Sequence, residues 1–436
     1  MINSKTTEYY HASYGSSLNY LSEYIANKAY QDKKVTLTII IFLLAVLIAT
    51  CLFSAPIFAK DNTQTIKTVF VKDKIQLQKE FKDNIQAKYN KAKIKFISSG
   101  IAHIKKIKYI NKKPIKINIV ELNTNVNSNL RIRPQIAGDK LNSKKTVRNI
   151  AQNKGATIAI NGGYFKPNTG VPLGALMIDR KVLTGEIFNR VGIAIFEENN
   201  NTSFKMEKID FDIRAYTKRD VINIDNINQP RMLSSYTLLY TQAWGQYSPI
   251  APKNGLNALI VGNKIVKISK EPIKFLSNSM VLSAPKNIIL NLDCKDDIYI
   301  DIKLQDELKN ARHIIGAGPY LVKNGEIFLD INEEKFQAIT GRNPRSAIGF
   351  KNDGTFIIVT IDGREKNSIG MTLKELAKLM KEIGCEYAMN FDGGSSSALY
   401  VDGNIVNSAH NKEGVPVSNV LLVNEEIESQ IKLSGI

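Results

Sequence analysis

From about Phe96 onward, short apolar runs alternate with polar breaks, and their spacing predicts a mixture of strands and helices. The segment PIKINIVEL, Pro114 to Leu122, alternates with a period of two and reads as a strand. KTVRNIAQNKG, residues 145–155, reads as a helix ended by Gly155. ATIAI, Ala156 to Ile160, follows as a short buried strand before Asn161-Gly162-Gly163. From about Leu176 to Ile302, β-branched runs separated by Asn, Gly and Asp predict a multi-stranded, partly antiparallel region.

The segment Arg342 to Arg364 holds two apolar runs flanking Asp353-Gly354, the dipeptide suited to a two-residue type I′ hairpin. That turn sets Arg345 opposite Asp362, with their Cβ atoms roughly 5 Å apart. A different loop length shifts the register but keeps Arg342, Arg345, Asp362 and Arg364 at one end. Next, Thr372 and Glu375 form a capping box. Leu373, Leu376, Ala377, Met380 and Ile383 line one helix face, and Gly384 is placed to end it. Glu386 to Phe391 follows as a strand. Strand, helix, strand makes a crossover with parallel strands, so Asp362 and Asp392 share one sheet edge. If the strand before Asn161 runs parallel in the same sheet, Asn161 joins them. The expected fold class is α+β or mixed α/β: a single domain, 96–436, with a mixed sheet and packed helices, preceded by one transmembrane helix.

That helix is read from residues 35–59, which carry no charge over a length sufficient to cross a bilayer. Thirty-four residues precede it, long for a cleaved signal, so an uncleaved anchor is expected behind a short tail, 1–34. The net charge of +18 changes the picture less than its position does. Lys60 to Lys113 holds fifteen lysines against four acids, which predicts a basic stem over 60–95 and leaves the rest mildly basic. A chain-wide nucleic-acid groove is excluded on that ground, together with the lack of an interleaved basic and aromatic pattern. The four histidines show no zinc-ligand spacing. Whether Cys294 and Cys385 pair is open.

The candidate chemistry lies where the predicted strand ends converge. Asp392 and Asp362 are the candidate catalytic carboxylates. Arg342, Arg345 and Arg364 supply guanidinium groups, and Asn161 an amide. Gly162, Gly393, Gly394, Ser395 and Ser396 offer a loose backbone and hydroxyls suited to a phosphate oxygen. Carboxylates with anion-binding groups suit a sugar phosphate or phosphodiester. The plainer readings are ordinary turns at Asp392 and Asn161 and a salt bridge between Asp362 and Arg345. Two rival functions share these residues: a silent binding module for a phosphorylated polysaccharide, and a metal-dependent phosphodiesterase cutting P–O. No cofactor is required by the sequence, and a divalent cation beside the carboxylates stays open.

Eight ordered motifs between Ile115 and Val423 resemble the phosphodiester glycosidase family: NGGYF at Asn161, PRMLSSYTLLYT at Pro230, GAGPYLVKNG at Gly316, RNPRSAIG at Arg342, DGR at Asp362, TLKELA at Thr372, NFDGGSSS at Asn390 and VSN at Val417. The resemblance implies hydrolysis of the glycosidic bond of a sugar 1-phosphodiester in a secreted or membrane-anchored protein, which with the apolar stretch 35–59 leads to the expectation of a membrane-anchored extracytoplasmic enzyme of exopolysaccharide or cell-envelope polymer. It implies Asp392 as nucleophile or base and Asp362 as its partner or a positioning acid. Arg342 and Arg345 would lie on phosphate, with Asn161 and Ser396 orienting the substrate. The chain departs from the family at Ser395, where a third glycine is usual, and at Gly414 and Val415, where a basic residue is usual. A serine that must take positive φ would tighten the loop.

Overall fold

The computed structural model describes residues 62–198, 201–293 and 297–426. The expected anchor at 35–59 and Cys294 lie outside these residues, and none of the described helices is long and apolar enough to cross a membrane. The chain divides into two compact units, 1–76 and 77–436. Of the first, only 62–76 are described, as the start of helix α1 (Asn62–Lys88). The second unit holds every described strand and the candidate site.

The expectation of an α+β fold with packed helices is corrected by the architecture. Strands make up 44% of the described residues and helices 13%, in a propeller-like arrangement. Twenty-six described strands fall into five sheets, one of eight strands, three of five and one of three. The physical reason lies in the middle of the chain, where no apolar period reaches helix length. The helix expected over residues 145–155 amounts to Val147–Asn153, capped by Thr146. Of the described helices lying wholly within the second unit the amphipathic α2 (Leu373–Ile383) is the longest, and it has the expected capping box and a left-handed Gly384 with φ of 87°.

The eight-stranded sheet positions the candidate site. In chain order its strands are β1 (Lys93–Ser98), β2 (Ile101–Ile110), β3 (Lys113–Asn123), β5 (Tyr320–Lys323), β6 (Glu326–Ile327), β7 (Arg345–Phe350), β8 (Thr355–Ile361) and β9 (Tyr387–Asn390); β4 (Ile158–Asn161) belongs to a five-stranded sheet. Across the large sheet the order is β1-β2-β3-β8-β7-β9-β5-β6. β7 pairs antiparallel with both β8 and β9, so β8 and β9 run parallel with β7 between them. Asp362 and Asp392 therefore leave the same edge, as the crossover requires.

One face of the sheet packs Ile348, Phe356, Ile358 and Val120 against Ile160 and Leu421 of the neighbouring sheet. The other packs Ala347, Ile357, Val359 and Ile361 against α2 and against Phe81, Ile85 and Tyr89. Lysines from two directions converge there on Glu121, which is 2% exposed. Its carboxylate accepts from Lys88 and Lys351, each at 2.7 Å, and from the Tyr89 hydroxyl.

The β7–β8 turn differs from the expected two-residue hairpin. Phe350 faces Phe356 and Arg345 faces Ile361, one residue off the expected register. Lys351 N–H donates to the Thr355 carbonyl, and Asn352, Asp353 and Gly354 form a three-residue loop with Gly354 at φ of 81°. Because side chains alternate, a one-residue shift changes faces. Arg345 thus lies on the α2 face with Ile361, while Asp362 lies on the opposite face.

Candidate functional site

Asp392 follows β9 and opens a tight turn. Its backbone N–H donates to the Gly162 carbonyl at 3.1 Å, its Oδ1 accepts from Gly393 N–H at 2.9 Å, and the carboxyl also bonds the Ser396 side chain. Gly394 to Ser396 form one 3₁₀ turn. Burial raises the Asp392 carboxyl to about 6, although the Ser396 and Gly393 bonds pull the other way. Among the described residues no cation pairs with it within 4 Å. Gly394, not Ser395, takes positive φ, at 60°, so the serine in place of the third glycine sits in ordinary backbone. The N–H groups of Gly394, Ser396 and Ser397 are bound to the carbonyls of Pro344, Gly393 and Gly394. The backbone N–H groups that the sequence offered to a phosphate oxygen are mostly spent within the turn.

Asn161 reaches this turn from β4, in a different sheet from the one expected. It is 1% exposed, and both ends of its amide are bonded. Its Nδ2 donates to the Asp392 carbonyl at 2.6 Å, and its Oδ1 accepts from the Ser346 hydroxyl at 2.7 Å and from Ala398 N–H at 3.2 Å. It staples the Asp392 loop to both sheets. Gly162 is required by close approach, since a Cβ there would lie 2.0 Å from the Asn419 Oδ1.

The three expected arginines divide. Arg345 is 2% exposed, and its guanidinium donates to three carbonyls: Met371 at 3.0 Å, and Ile339 and Gly341 each at 2.6 Å. Arg342 donates to the Gly370 carbonyl and pairs with Glu375 at 2.5 Å, the capping residue of α2. Both hold loops in place. Arg364 is exposed, with φ of 62°; it is steadied by the Asn343 Oδ1 at 2.7 Å and lies 3.5 Å from the Ser395 hydroxyl. Asp362 shares the edge but meets no arginine. Buried at 3% exposure, its Oδ1 accepts from Ser408 N–H at 2.9 Å. Burial raises its carboxyl, the Ser408 bonds opposing. The preceding residue, Asn407, ties Ser397 and Leu399, so Asp362 supports the far side of the serine turn.

Sequence reasoning missed three residues here. Tyr164, within the quoted NGGYF, donates its hydroxyl to the Gly318 carbonyl at 3.0 Å and accepts from the Asn390 amide at 2.9 Å. Burial and then the Asp392 charge push its phenol up. The Arg190 guanidinium lies 4.0 Å from the Phe336 ring centre, 5.1 Å from Phe188 and 5.3 Å from Tyr164. Its Nε donates to the Glu334 carbonyl at 3.1 Å, and among the described residues no carboxylate pairs with it. Glu334, fully buried, accepts from Val191 and Tyr320 N–H at 3.0 Å each, and burial raises it to about 7. No motif marks Arg190 or Glu334; only the fold brings their loops together. No group of three or more His, Cys, Asp or Glu side chains placed for a metal occurs among the described residues.

Residues 254–424 match the model of the phosphodiester glycosidase family, which bears out the resemblance over the part of the chain that holds Arg342, Asp362 and Asp392. Asn161 and Arg190 precede that segment. A curated relative, the SPbeta prophage-derived uncharacterized protein YomE of Bacillus subtilis (strain 168), is 35% identical over 107 residues, which are 23% of this chain and 15% of that protein. Among solved structures, a hypothetical protein from Synechocystis aligns with a TM-score of 0.68 at 23% identity, covering 76% of this chain and 63% of that one. A putative exported protein from Burkholderia pseudomallei K96243 aligns with a TM-score of 0.62 at 20% identity, covering 72% and 74%. At these identities the two structures share the fold.

Proposed function

We propose, from the premise that residues 254–424 are of the phosphodiester glycosidase family, that this chain hydrolyses the glycosidic bond of a sugar 1-phosphodiester at Asp392. The observation that carries this reading is a half-buried carboxyl, raised to about 6, with no cation paired to it, on a rim that also holds Arg364, Tyr164 and Arg190. The departing group is a phosphate monoester whose charge spreads over several oxygens, so guanidinium groups serve it better than a strong general acid. Arg364 beside Ser395 and Arg190 beside Tyr164 are the groups suited to those oxygens. Arg342 and Arg345 act by holding their loops. Asp392, once deprotonated, stabilises positive charge at the anomeric carbon or takes the proton of the attacking water. Water adds to C1, the C1–O bond breaks, and the phosphate leaves with the bridging oxygen. The uncharged stretch 35–59 supports an extracytoplasmic place at a membrane, and envelope or exopolysaccharide phosphodiesters as substrates.

Hydrolysis of a sugar 1-phosphodiester in heavy-oxygen water tests the bond assignment. Label is expected at the sugar C1 hydroxyl. Label in the phosphate would mean P–O cleavage, and absence of turnover across a panel of sugars, with ligand retained, would mean a binding module.

A further inference from the structure

The β2–β3 hairpin runs on beyond the sheet. β8 pairs with β3 only from Asn123 to Ile117, whereas β2 and β3 stay paired out to Ile110 and Lys113. The overhang leaves at the end where Asp362 lies, and Asp362 N–H donates to the Lys116 carbonyl at 3.1 Å. One flank of it is covered, with Lys108 paired to Glu382 and the Ile369 N–H on the Pro114 carbonyl.

The other flank is open and has an unusual composition. From Lys91 to Lys116 the chain is rich in lysine and holds no acid. Lys93 stands directly opposite Lys105, and Ile107 opposite Lys116. Directly opposed like charges destabilise a strand pair, so the fold alone does not favour this arrangement. On the same face Ile107 is 56% and Tyr109 66% exposed. Lys95 pairs with Asp402 and Lys105 reaches the Val406 carbonyl, while Lys93 and Lys116 on this face and Lys112 at the tip make no ion pair among the described residues. The flank meets the site at the sheet edge: the overhang of β3 leaves beside Asp362, which follows β8, and Asp392 follows β9 two strands further along the same edge.

We infer that this open hairpin flank is a docking surface for a further segment of an anionic, phosphate-bearing polysaccharide whose scissile linkage lies at Asp392. The lysines match repeated negative charge, Tyr109 offers a face on which a sugar ring stacks, and Ile107 extends the apolar strip. Continuity with the Asp392 rim favours polymer over a lipid surface, because a chain threaded through the site must leave along one of its sides. The inference rests on the proposed reaction for the polymer's linkage, and on the hairpin itself for the charge.

The test compares the full chain with a Lys105→Ser, Ile107→Ser, Tyr109→Ser variant, and separately with Lys93→Glu, directly opposite Lys105. The probes are a linear polysaccharide with glycosyl 1-phosphate linkages, its single-repeat fragment, and phosphatidylglycerol vesicles. Polymer binding should weaken roughly tenfold in each variant and weaken further with salt, while turnover of the fragment is unchanged. Unchanged polymer binding, or loss of vesicle binding with polymer binding intact, overturns the inference. Hairpin-dependent polymer binding without any hydrolysis would sustain it and sink the proposed reaction instead.

Discussion

Asp392 holds its proton well above the usual carboxylate range because the turn that presents it also buries it. For a group that must act deprotonated, kcat should climb as pH rises through about 6, and Asp392→Asn should lower it by ~10²–10⁴-fold at neutral pH. The same shift has a stability consequence. The folded value of about 6 lies above the reference of 3.8, so the unfolded chain releases its proton first as pH rises. Stability is therefore full below the lower value and is lost as pH climbs through the upper one, by at most roughly 3 kcal/mol. Asp392→Asn should then melt higher than the parent at neutral pH, with the gain gone near the acid end. Calorimetry across that window checks it, and equal melting at neutral pH would contradict a buried charged form. Asp362 differs in what it holds: its carboxylate accepts from Ser408 N–H, in a distant loop, whereas the backbone donor to Asp392 is the adjacent Gly393. Asp362→Ala should cost about 1–3 kcal/mol by orphaning that donor. Its effect on kcat should be much smaller than that of Asp392→Asn, which paired denaturation and rate measurements separate.

At the scale of elements, legibility followed the locality of the signal. The α2 capping box, Gly384 and the crossover that puts Asp362 and Asp392 on one edge were all readable, because each depends on residues within a short stretch of chain. The turn at Asp353-Gly354 was visible but its length was not, since a two-residue turn and a three-residue loop with left-handed glycine both accept this dipeptide. That single residue decided the face, and so separated Arg345 from Asp362. The partners that replaced the expected ones, carbonyls for Arg345 and a backbone amide for Asp362, carry no sequence signature at all. Nor does the arrival of Asn161 from another sheet, because packing of sheet on sheet is set by the whole pattern of apolar residues. The turn itself makes a prediction. Gly354 at φ of 81° should resist alanine, so Gly354→Ala should destabilise by about 1 kcal/mol while Gly354→Asn loses less. Neither should alter kcat, the loop lying at the strand end away from Asp392. Urea titration with a parallel rate assay reads both.

For the whole molecule, the question is where the folding unit starts. The sequence suggested a stem over 60–95 with the domain after it, whereas the compact unit begins at Leu77. Phe81, Ile85 and Tyr89 are buried in the core between the large sheet and α2, and Lys88 is one of two ammonium groups that neutralise Glu121. Burial alone would raise the Glu121 carboxyl, but Lys351 and Lys88 hold it below its usual range. Removing one partner of a buried pair costs about 3–5 kcal/mol, because the remaining charge stays desolvated. Stripping three large side chains from a core adds a cost of similar order. Against a net stability of roughly 5–15 kcal/mol for a domain, the two together are enough to unfold it. A chain truncated to start at Leu77 should therefore melt with the parent and keep its turnover. One truncated to start at Phe96 should be insoluble or lack a cooperative transition. Within the parent, Glu121→Leu isolates the electrostatic part, because it strands Lys88 and Lys351 together, and it should lower the melting point without changing the pH profile of kcat. If the chain starting at Phe96 instead folded and turned over normally, residues 77–95 would be a dispensable appendage and the buried charge cluster would contribute nothing to the fold.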